Sequence, residues 1–315
     1  MNLTDLIFQL VQDAVVVLIA PLLLGWVNQC RAWLQNRSGA GVLQPYRNLA
    51  KLFQKDAVLA QNASPLFRIT PYVLFSCMWL AAAMVPVVAV DLPLSQAVDV
   101  IALVGIFALA RVFISLAAMD IGTSFGTLGA RREMLVGFLA EPALLMVFFT
   151  ASIISHSTSL ITIVGTLAHT RFVLYPSLAF ASVAFIMVLL AENARIPVDN
   201  PSTHLELTMI HEAMVLEYSA RHLALIEWAS AIKLLAYITI GIALFMPWGI
   251  AEAGDWGALP FALLALILKL MAVGAGLALL ETLSAKKRIF RVPEFMGMAF
   301  LLAVLGMLTH FLLGS

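Results

Sequence analysis

A proline-broken acidic segment near the middle of the chain holds the residues whose chemistry suits proton transfer. Residues 191–201 read AENARIPVDNP, and further acids follow. The two prolines interrupt regular structure, so the backbone there needs water or neighbouring protein groups to satisfy its polar atoms. If the residues beyond 201 are helical, Glu206 and Glu217 are eleven residues apart and point within about 20° of one another. The segment predicts a wet acidic cavity; the alternative is a loop of solvated acids beside basic neighbours. The candidate relay residues are Glu192, Asp199, Glu206, Glu212 and Glu217.

Four of the ionisable residues inside long apolar segments are further candidates. Glu141 follows about two turns of apolar helix, where an ionised carboxylate is costly unless it is paired or hydrated. Lys233 and Lys269 are candidates to pair with acids or to pass protons onward, although a lysine near a helix end also snorkels, which is the alternative for Lys233. Arg111 either forms a structural ion pair or belongs to the proton pathway, and the sequence does not decide between these roles because it indicates no partner for Arg111.

A separate set of cations predicts a docking surface. Residues 43–56 place apolar side chains at helical spacing and cations four residues apart along another face, which is typical of a short amphipathic helix at a membrane surface. Such a helix is either an ordinary snorkelling surface helix, a docking surface for a peripheral partner, or the lip of a cavity. The candidate docking residues are Arg37, Arg47, Lys51 and Lys55, with Arg131 and Arg132 in a later connection.

The elements that carry these residues are apolar helices. Of the 315 residues, 62% are hydrophobic and 11% are charged, whereas soluble domains carry roughly a quarter charged residues. Segments of about 20 apolar residues span a bilayer. We therefore predict an all-α integral membrane protein, one polytopic domain over residues 1–315, with about eight transmembrane helices and a cytoplasmic amphipathic helix. The stretch 160–167 is too short to span and is predicted to be interfacial or re-entrant. The predicted spans are 6–27, 72–92, 98–118, 134–154, 174–191, 223–246, 259–280 and 295–313.

The cations orient these helices. Among the 18 Lys and Arg residues, Arg111, Lys233 and Lys269 lie within spans, and Arg171 is the single cation of the connections on one side. All the others lie in the connections after the first, third, fifth and seventh spans. Since cytoplasmic connections are the basic ones, both termini are predicted to face away from the cytoplasm. The expected location is the cytoplasmic (inner) membrane of a bacterium or archaeon.

Composition also excludes several functions. A net charge of +0 argues against a nucleic-acid partner. Two cysteines cannot supply the four thiolates of an iron–sulfur cluster, and the six histidines are not placed as the facing pairs that haem requires. No cofactor is therefore expected within this chain, and any redox centre belongs to a partner.

Two motifs make the chain resemble a known family over essentially its whole length. The run AENARIPVD at residues 191–199 resembles A-E-x-x-R-x-P-F-D, and Glu217-Tyr218-Ser219 resembles E-Y-S. These motifs belong to the family of the first membrane subunit of respiratory complex I and its counterpart in membrane-bound [NiFe] hydrogenases.

Two further stretches resemble the hydrogenase branch of that family, represented by formate hydrogenlyase subunit 4 and hydrogenase-4 component C. Residues 37–44 resemble the shortened R-R-G-P-G-x-x-Q loop, with Ser38 and Ala40 in place of its second Arg and its Pro. Residues 120–133 resemble D-T-G-S-P-F-x-x-x-G-A-S-R-E, and Glu141-Pro142 matches the E-P that follows. The acidic run P-E-A-E-x-E departs most, because residues 201–206 lack two of its carboxylates.

The resemblance implies a subunit that is not catalytic by itself. Its expected role is to anchor a cytoplasmic arm, made of an Fe–S subunit and a large catalytic subunit with the Ni–Fe centre, and to link that arm to proton translocation through antiporter-like membrane subunits. The resemblance gives Arg195 as charge partner of the relay acids. The alternatives are the quinone-site subunit of a complex I-type oxidoreductase and a self-contained secondary transporter.

Overall fold

The described part of the molecule is built from helices. The computed structural model describes residues 3–60, 62–86, 99–169, 176–199, 209–249, 259–285 and 291–313, and in these ranges the sole β-type pairing is an isolated bridge between Asp99 and Ser159. The predicted relay residue Glu206 lies outside them. The helices are α1 (Leu3–Leu34), α2 (Gln44–Phe53), α3 (Pro65–Met84), α4 (Val100–Asp120), α5 (Ser124–Ser155), α6 (Leu160–His169), α7 (Pro176–Glu192), α8 (His211–Val215), α9 (Ala220–Phe245), α10 (Leu259–Leu283) and α11 (Val292–Leu313).

Seven of these helices are long and apolar enough to cross a membrane, namely α1 from Asp13 onward, α3, α4, α5, α9, α10 and α11. The predicted span 174–191 corresponds to α7, whose 17 residues stand at the lower end of the length that spans a bilayer. Residues 160–167 fall in α6, which has 10 residues and is too short to cross. The chain is an all-α integral membrane protein, as its composition predicts.

Side-chain caps fix where several helices begin. The Ser64 hydroxyl accepts a hydrogen bond from the Leu66 amide at the start of α3, and the Asp99 carboxylate accepts one from the Ile101 amide at the start of α4. Thr123 does the same for Gly126 at the start of α5. Each cap satisfies an amide that has no partner within its own helix.

The predicted amphipathic helix is present as α2, and it packs on α1 and α9. Leu49 is buried, and the Phe53 ring meets the Trp228 ring edge to face at 6.2 Å. The Tyr46 hydroxyl donates to the Leu18 carbonyl of α1, and burial raises the pKa of Tyr46, so the hydroxyl remains a donor. Arg47 and Lys51 are exposed on the other face.

One end of the bundle carries most of the polar connections, and we call it the basic end. There α1, α4, α7 and α10 finish, and α3, α5, α9 and α11 begin. Its connections are tied to one another by hydrogen bonds. The Ser64 amide donates to the Asp120 carboxylate at 3.1 Å, and the Ser219 hydroxyl donates to the Val58 carbonyl at 2.7 Å while accepting from the Val58 amide at 2.9 Å.

Candidate functional site

A buried arginine gathers three glutamates inside the bundle. Arg111 of α4 has a side chain that is 6% exposed. Its Nη1 lies 2.7 Å from Oε1 of Glu141, its Nε lies 3.5 Å from Oε1 of Glu133, and its Nη2 bonds Oε1 of Glu192. Lys233 of α9 joins the group, because its Nζ lies 2.9 Å from the other oxygen of Glu192. We call these five residues the Arg111 cluster.

Helix α5 is shaped to receive the guanidinium. Glu133, Gly137 and Glu141 follow one another at intervals of four residues, so they lie on one helix face over a rise of about 12 Å. A Cβ atom at Gly137 would overlap the Arg111 guanidinium. The missing side chain lets Arg111 lie against α5 between the two glutamates.

Glu192 is the most buried acid of the cluster. It is the last residue of α7, its side chain is 2% exposed, and it bridges Arg111 and Lys233. One turn beyond Lys233, the fully buried Tyr237 stacks on Phe107 with ring centroids 4.8 Å apart. Through its bonds to Arg111 and Lys233, Glu192 links α7 to α4 and α9. These bonds are charge-assisted, which is the stronger class of hydrogen bond.

The cluster is one positive charge short of neutrality. With every group ionised, three carboxylates face two cations, so the sum is +2 − 3 = −1. Unbalanced charge is costly away from water. One proton bound by any of the three carboxylates would bring this sum to zero.

A cavity of about 40 Å³ opens onto this cluster. Such a volume holds roughly three water molecules. Polar groups on its wall include Arg111, Glu133, Glu192 and Lys233, and it also reaches His211 of α8. Water in this space would connect the Arg111 cluster to α8 at the basic end.

Asp199 holds α8 in place and is not part of the Arg111 cluster. It is buried, and its Oδ2 accepts hydrogen bonds from the amides of Ile210 and His211, each at 3.1 Å. On the other side, Nη1 of Arg132 donates to the Met209 carbonyl at 2.9 Å. Together these bonds fix the chain that leads into α8, and with it the position of His211.

The two other predicted relay acids that the structure describes lie nearer the surface. Glu212 is half-buried in α8, and Glu217 is exposed. Tyr218 beside it is buried: its ring stacks on Phe67 at 3.9 Å and its hydroxyl donates to the Phe67 carbonyl at 3.0 Å. Burial raises the pKa of Tyr218, so this donor stays protonated. The E-Y-S motif thus ties the start of α9 to α3.

Two predicted residues have other partners than the sequence indicated. Nη1 of Arg195 lies 3.0 Å from Glu281, which is almost fully buried and also meets Arg31 at 3.4 Å. Among the residues that the structure describes, Arg195 therefore pairs with Glu281 of α10, which it shares with Arg31 of α1. Lys269 donates to the carbonyls of Met246, at 2.7 Å, and Trp248, so it caps the end of α9.

The predicted docking cations lie at the basic end. Arg37, Arg47, Lys51, Lys55 and Arg131 are exposed. Arg132 is half-buried, and its guanidinium donates a hydrogen bond to the Met209 carbonyl. In the part of the chain that the structure describes, no three His, Cys, Asp or Glu side chains are grouped to hold a metal ion.

Sequence reasoning missed two members of the site. Neither Glu133 nor Gly137 was among the predicted site residues. The signal was present in the pattern E-x-x-x-G-x-x-x-E over residues 133–141, because it places a gap between two acids on one face of an apolar helix.

Buried ion pairs within an apolar helical bundle, together with a surface helix, define a polytopic membrane protein that holds charged side chains inside its bundle. The chain belongs to the NADH dehydrogenase family, whose pattern it matches over residues 8–312. It is 34% identical over 301 residues to formate hydrogenlyase subunit 4 of Escherichia coli (strain K12), covering 94% of this chain and 97% of the relative. It is 31% identical over 300 residues to hydrogenase-4 component C of the same strain, covering 95% and 94%.

Two more distant similarities were found, one in sequence and one in fold. An NADH-quinone oxidoreductase subunit of Cytophaga hutchinsonii is 28% identical over 268 residues, covering 73% of this chain and 70% of the relative. A chain of the membrane-bound sulfane sulfur reductase, an archaeal respiratory membrane complex, shares the fold with a TM-score of 0.84. That match covers 97% of this chain and 99% of the other, at 17% identity.

Substituting Gly137 by Ala tests the packing of the cluster. The added methyl group overlaps the guanidinium, which is held by three carboxylates and has little room to shift. Overpacking of this kind costs about 1–3 kcal/mol, and we expect the thermal unfolding temperature in detergent to fall. Gly105→Ala on α4 is the matched control, because nothing lies within 4 Å of its Cβ position. Equal unfolding temperatures for the two variants would contradict the packing described.

Proposed function

We propose that this chain is the membrane anchor and proton-coupling subunit of a multisubunit membrane-bound [NiFe]-hydrogenase complex of the formate hydrogenlyase kind. The observation that carries the proposal is the Arg111 cluster, a buried group with one more acid than it has cations. Similarity to formate hydrogenlyase subunit 4 and hydrogenase-4 component C supports the choice of complex.

The cluster is suited to load a proton near the middle of the bilayer. Glu133 lies nine residues into α5 and Glu141 seventeen, which places them about 14 and 26 Å from the start of the helix. A proton that enters by way of α8 and the cavity reaches Glu192 and Glu133 first. Lys233 and Arg111 keep the carboxylates together while the proton moves among them.

Glu141 is the member through which the proton would leave. Its side chain is 32% exposed, against 2% for Glu192. Its surroundings on α5 are apolar and open, since the side chain of Phe138 one turn earlier is also exposed. An acid at an exposed apolar face inside the membrane is positioned to pass a proton sideways to a neighbouring subunit, and an antiporter-like subunit fits this position. In this proposal Glu212 and Glu217 collect protons at the basic end.

The basic end would face the cytoplasm and receive the peripheral arm. Cytoplasmic connections carry the excess of Lys and Arg, which supports this orientation and puts both termini on the other side. The exposed cations of α2 and of the start of α5 would bind acidic surfaces of an Fe–S subunit and a large catalytic subunit. Those partners would hold the Fe–S clusters and the Ni–Fe centre.

The composition of the purified complex tests this assignment. An affinity tag on this chain, used in mild detergent, should co-purify an Fe–S subunit, antiporter-like subunits and a large subunit that contains nickel by elemental analysis. Recovery with a nickel-free large subunit that reduces quinone would favour the complex I-type alternative. Recovery of the chain alone, still able to transport, would favour a secondary transporter.

Glutamine substitutions test the proton role in proteoliposomes that contain the whole complex. Glu192→Gln removes the charge that Arg111 and Lys233 share, and we expect proton uptake coupled to turnover to fall by about 100-fold, the usual loss for a missing acid–base group. Glu141→Gln should give a similar loss with less effect on stability, because Glu141 is partly exposed.

The matched control is Glu294→Gln, an exposed acid in the first turn of α11. It should leave proton uptake unchanged. If the Glu192 and Glu141 variants assemble normally and move as many protons per turnover as wild type, the relay assignment is wrong.

A further inference from the structure

A second, larger cavity lies between the end of α1 and the start of α2, and its polar lining suits an anion. Its volume is about 350 Å³, within the range of small-molecule sites. Two guanidinium groups, those of Arg31 and Arg37, line it together with carboxamides such as those of Gln29, Gln35 and Gln44. None of the described residues on its wall is acidic. The proposed proton route does not use this cavity.

Glycines build the wall of this cavity. A Cβ atom at Gly25 of α1 would overlap the Val42 carbonyl, and one at Gly39 would overlap the Gln29 side chain. The Gly41 amide donates to Oε1 of Gln29 at 3.2 Å, and its φ of +93° is a conformation that favours glycine. The segment between the two helices is therefore held close against the end of α1, which fixes the walls of the cavity.

The cavity keeps an excess of positive charge. Arg31 contacts Glu281 at 3.4 Å, but Arg195 contacts the same carboxylate at 3.0 Å. Two cations thus share one acid, and Glu281 leaves part of the charge on Arg31 uncompensated. Arg31 has a side chain that is 29% exposed and opens to the cavity, and Arg37 adds a second charge there.

Exposed apolar side chains beside the cavity favour a lipid over a small anion as its ligand. Trp33, Leu34 and Leu43 are 58%, 49% and 56% exposed. They adjoin an amphipathic helix at the end of a transmembrane helix, which is where a bilayer changes from headgroup to hydrocarbon, and Trp is enriched at that level. Basic pockets between helices at this level suit anionic headgroups.

We propose that this cavity binds the phosphate-bearing headgroup of an anionic phospholipid, with the acyl chains lying along Trp33, Leu34 and Leu43. The two guanidinium groups bind the phosphate oxygens, and the carboxamides bind the remaining polar atoms of the headgroup. The site is independent of which catalytic partners the chain has.

The test measures which lipids the purified complex retains. Complexes in mixed micelles of phosphatidylglycerol and phosphatidylcholine are washed, and the bound lipids are identified by mass spectrometry. Wild type should retain phosphatidylglycerol in preference to phosphatidylcholine. Arg37→Gln should lower that affinity about fivefold, and Arg31→Gln/Arg37→Gln further, because each cation near a membrane surface contributes about that factor.

Arg68→Gln is the matched control, an exposed cation at the same end that does not line the cavity, and it should retain lipid as wild type does. Equal retention by wild type and the Arg37→Gln variant overturns the proposal. So does displacement of the lipid by equimolar inorganic phosphate, which would show a site for free anions. A photo-crosslink from position 38 into an acidic segment of a co-purified subunit would show that protein fills the cavity, and it also overturns the proposal.

Discussion

A guanidinium in the interior of a membrane protein is tolerated only where carboxylates compensate its charge, and Arg111 imposes this requirement on four helices. Glu133 and Glu141 of α5 and Glu192 of α7 meet at it, and Lys233 of α9 joins the group through Glu192. The rest of the site depends on this meeting. Gly137 leaves space for the Arg111 guanidinium against α5, and Glu192 at the end of α7 contacts both cations. The small cavity lies between this group and α8. Removing one partner from such a group leaves a buried charge uncompensated. The ion pairs therefore specify how these helices pack, as well as which groups are available for proton transfer.

Polar contacts outside the Arg111 cluster fix the positions of the helices that carry its residues. Asp199 and Arg132 hold the chain before α8, so that His211 faces the cavity. Tyr218 fastens the start of α9, and therefore Lys233 further along it, to the start of α3. Glu281 joins α10 to Arg31 of α1 and to Arg195, three residues after Glu192. Residues of the acidic motifs thus divide into those that carry charge within the cluster and those that position it.

Much of the architecture could be predicted from the sequence, because apolar length and amphipathic spacing are local properties of the chain. The all-helical membrane bundle, the surface helix α2 and the family all follow from such signals. The charge pairing could not be predicted, since it depends on which helix faces meet. Glu192, Glu141 and Lys233 were identified as candidates, yet Arg111 had no partner in the sequence and Arg195 and Lys269 have partners that the sequence did not indicate. Glu133 and Gly137 become informative only once Arg111 lies against α5.

The proposed proton role requires that the three glutamates of the Arg111 cluster share one proton. Infrared spectra of the purified protein in H₂O and D₂O at neutral pH measure this directly, because a protonated carboxyl group has its own C=O stretching band, which shifts on deuteration. The account predicts that wild type shows such a band and that Glu133→Gln, Glu141→Gln and Glu192→Gln each change or abolish it, whereas Glu294→Gln leaves it as it is. A band that none of the three cluster variants alters, or no protonated carboxyl band in wild type, would contradict the account.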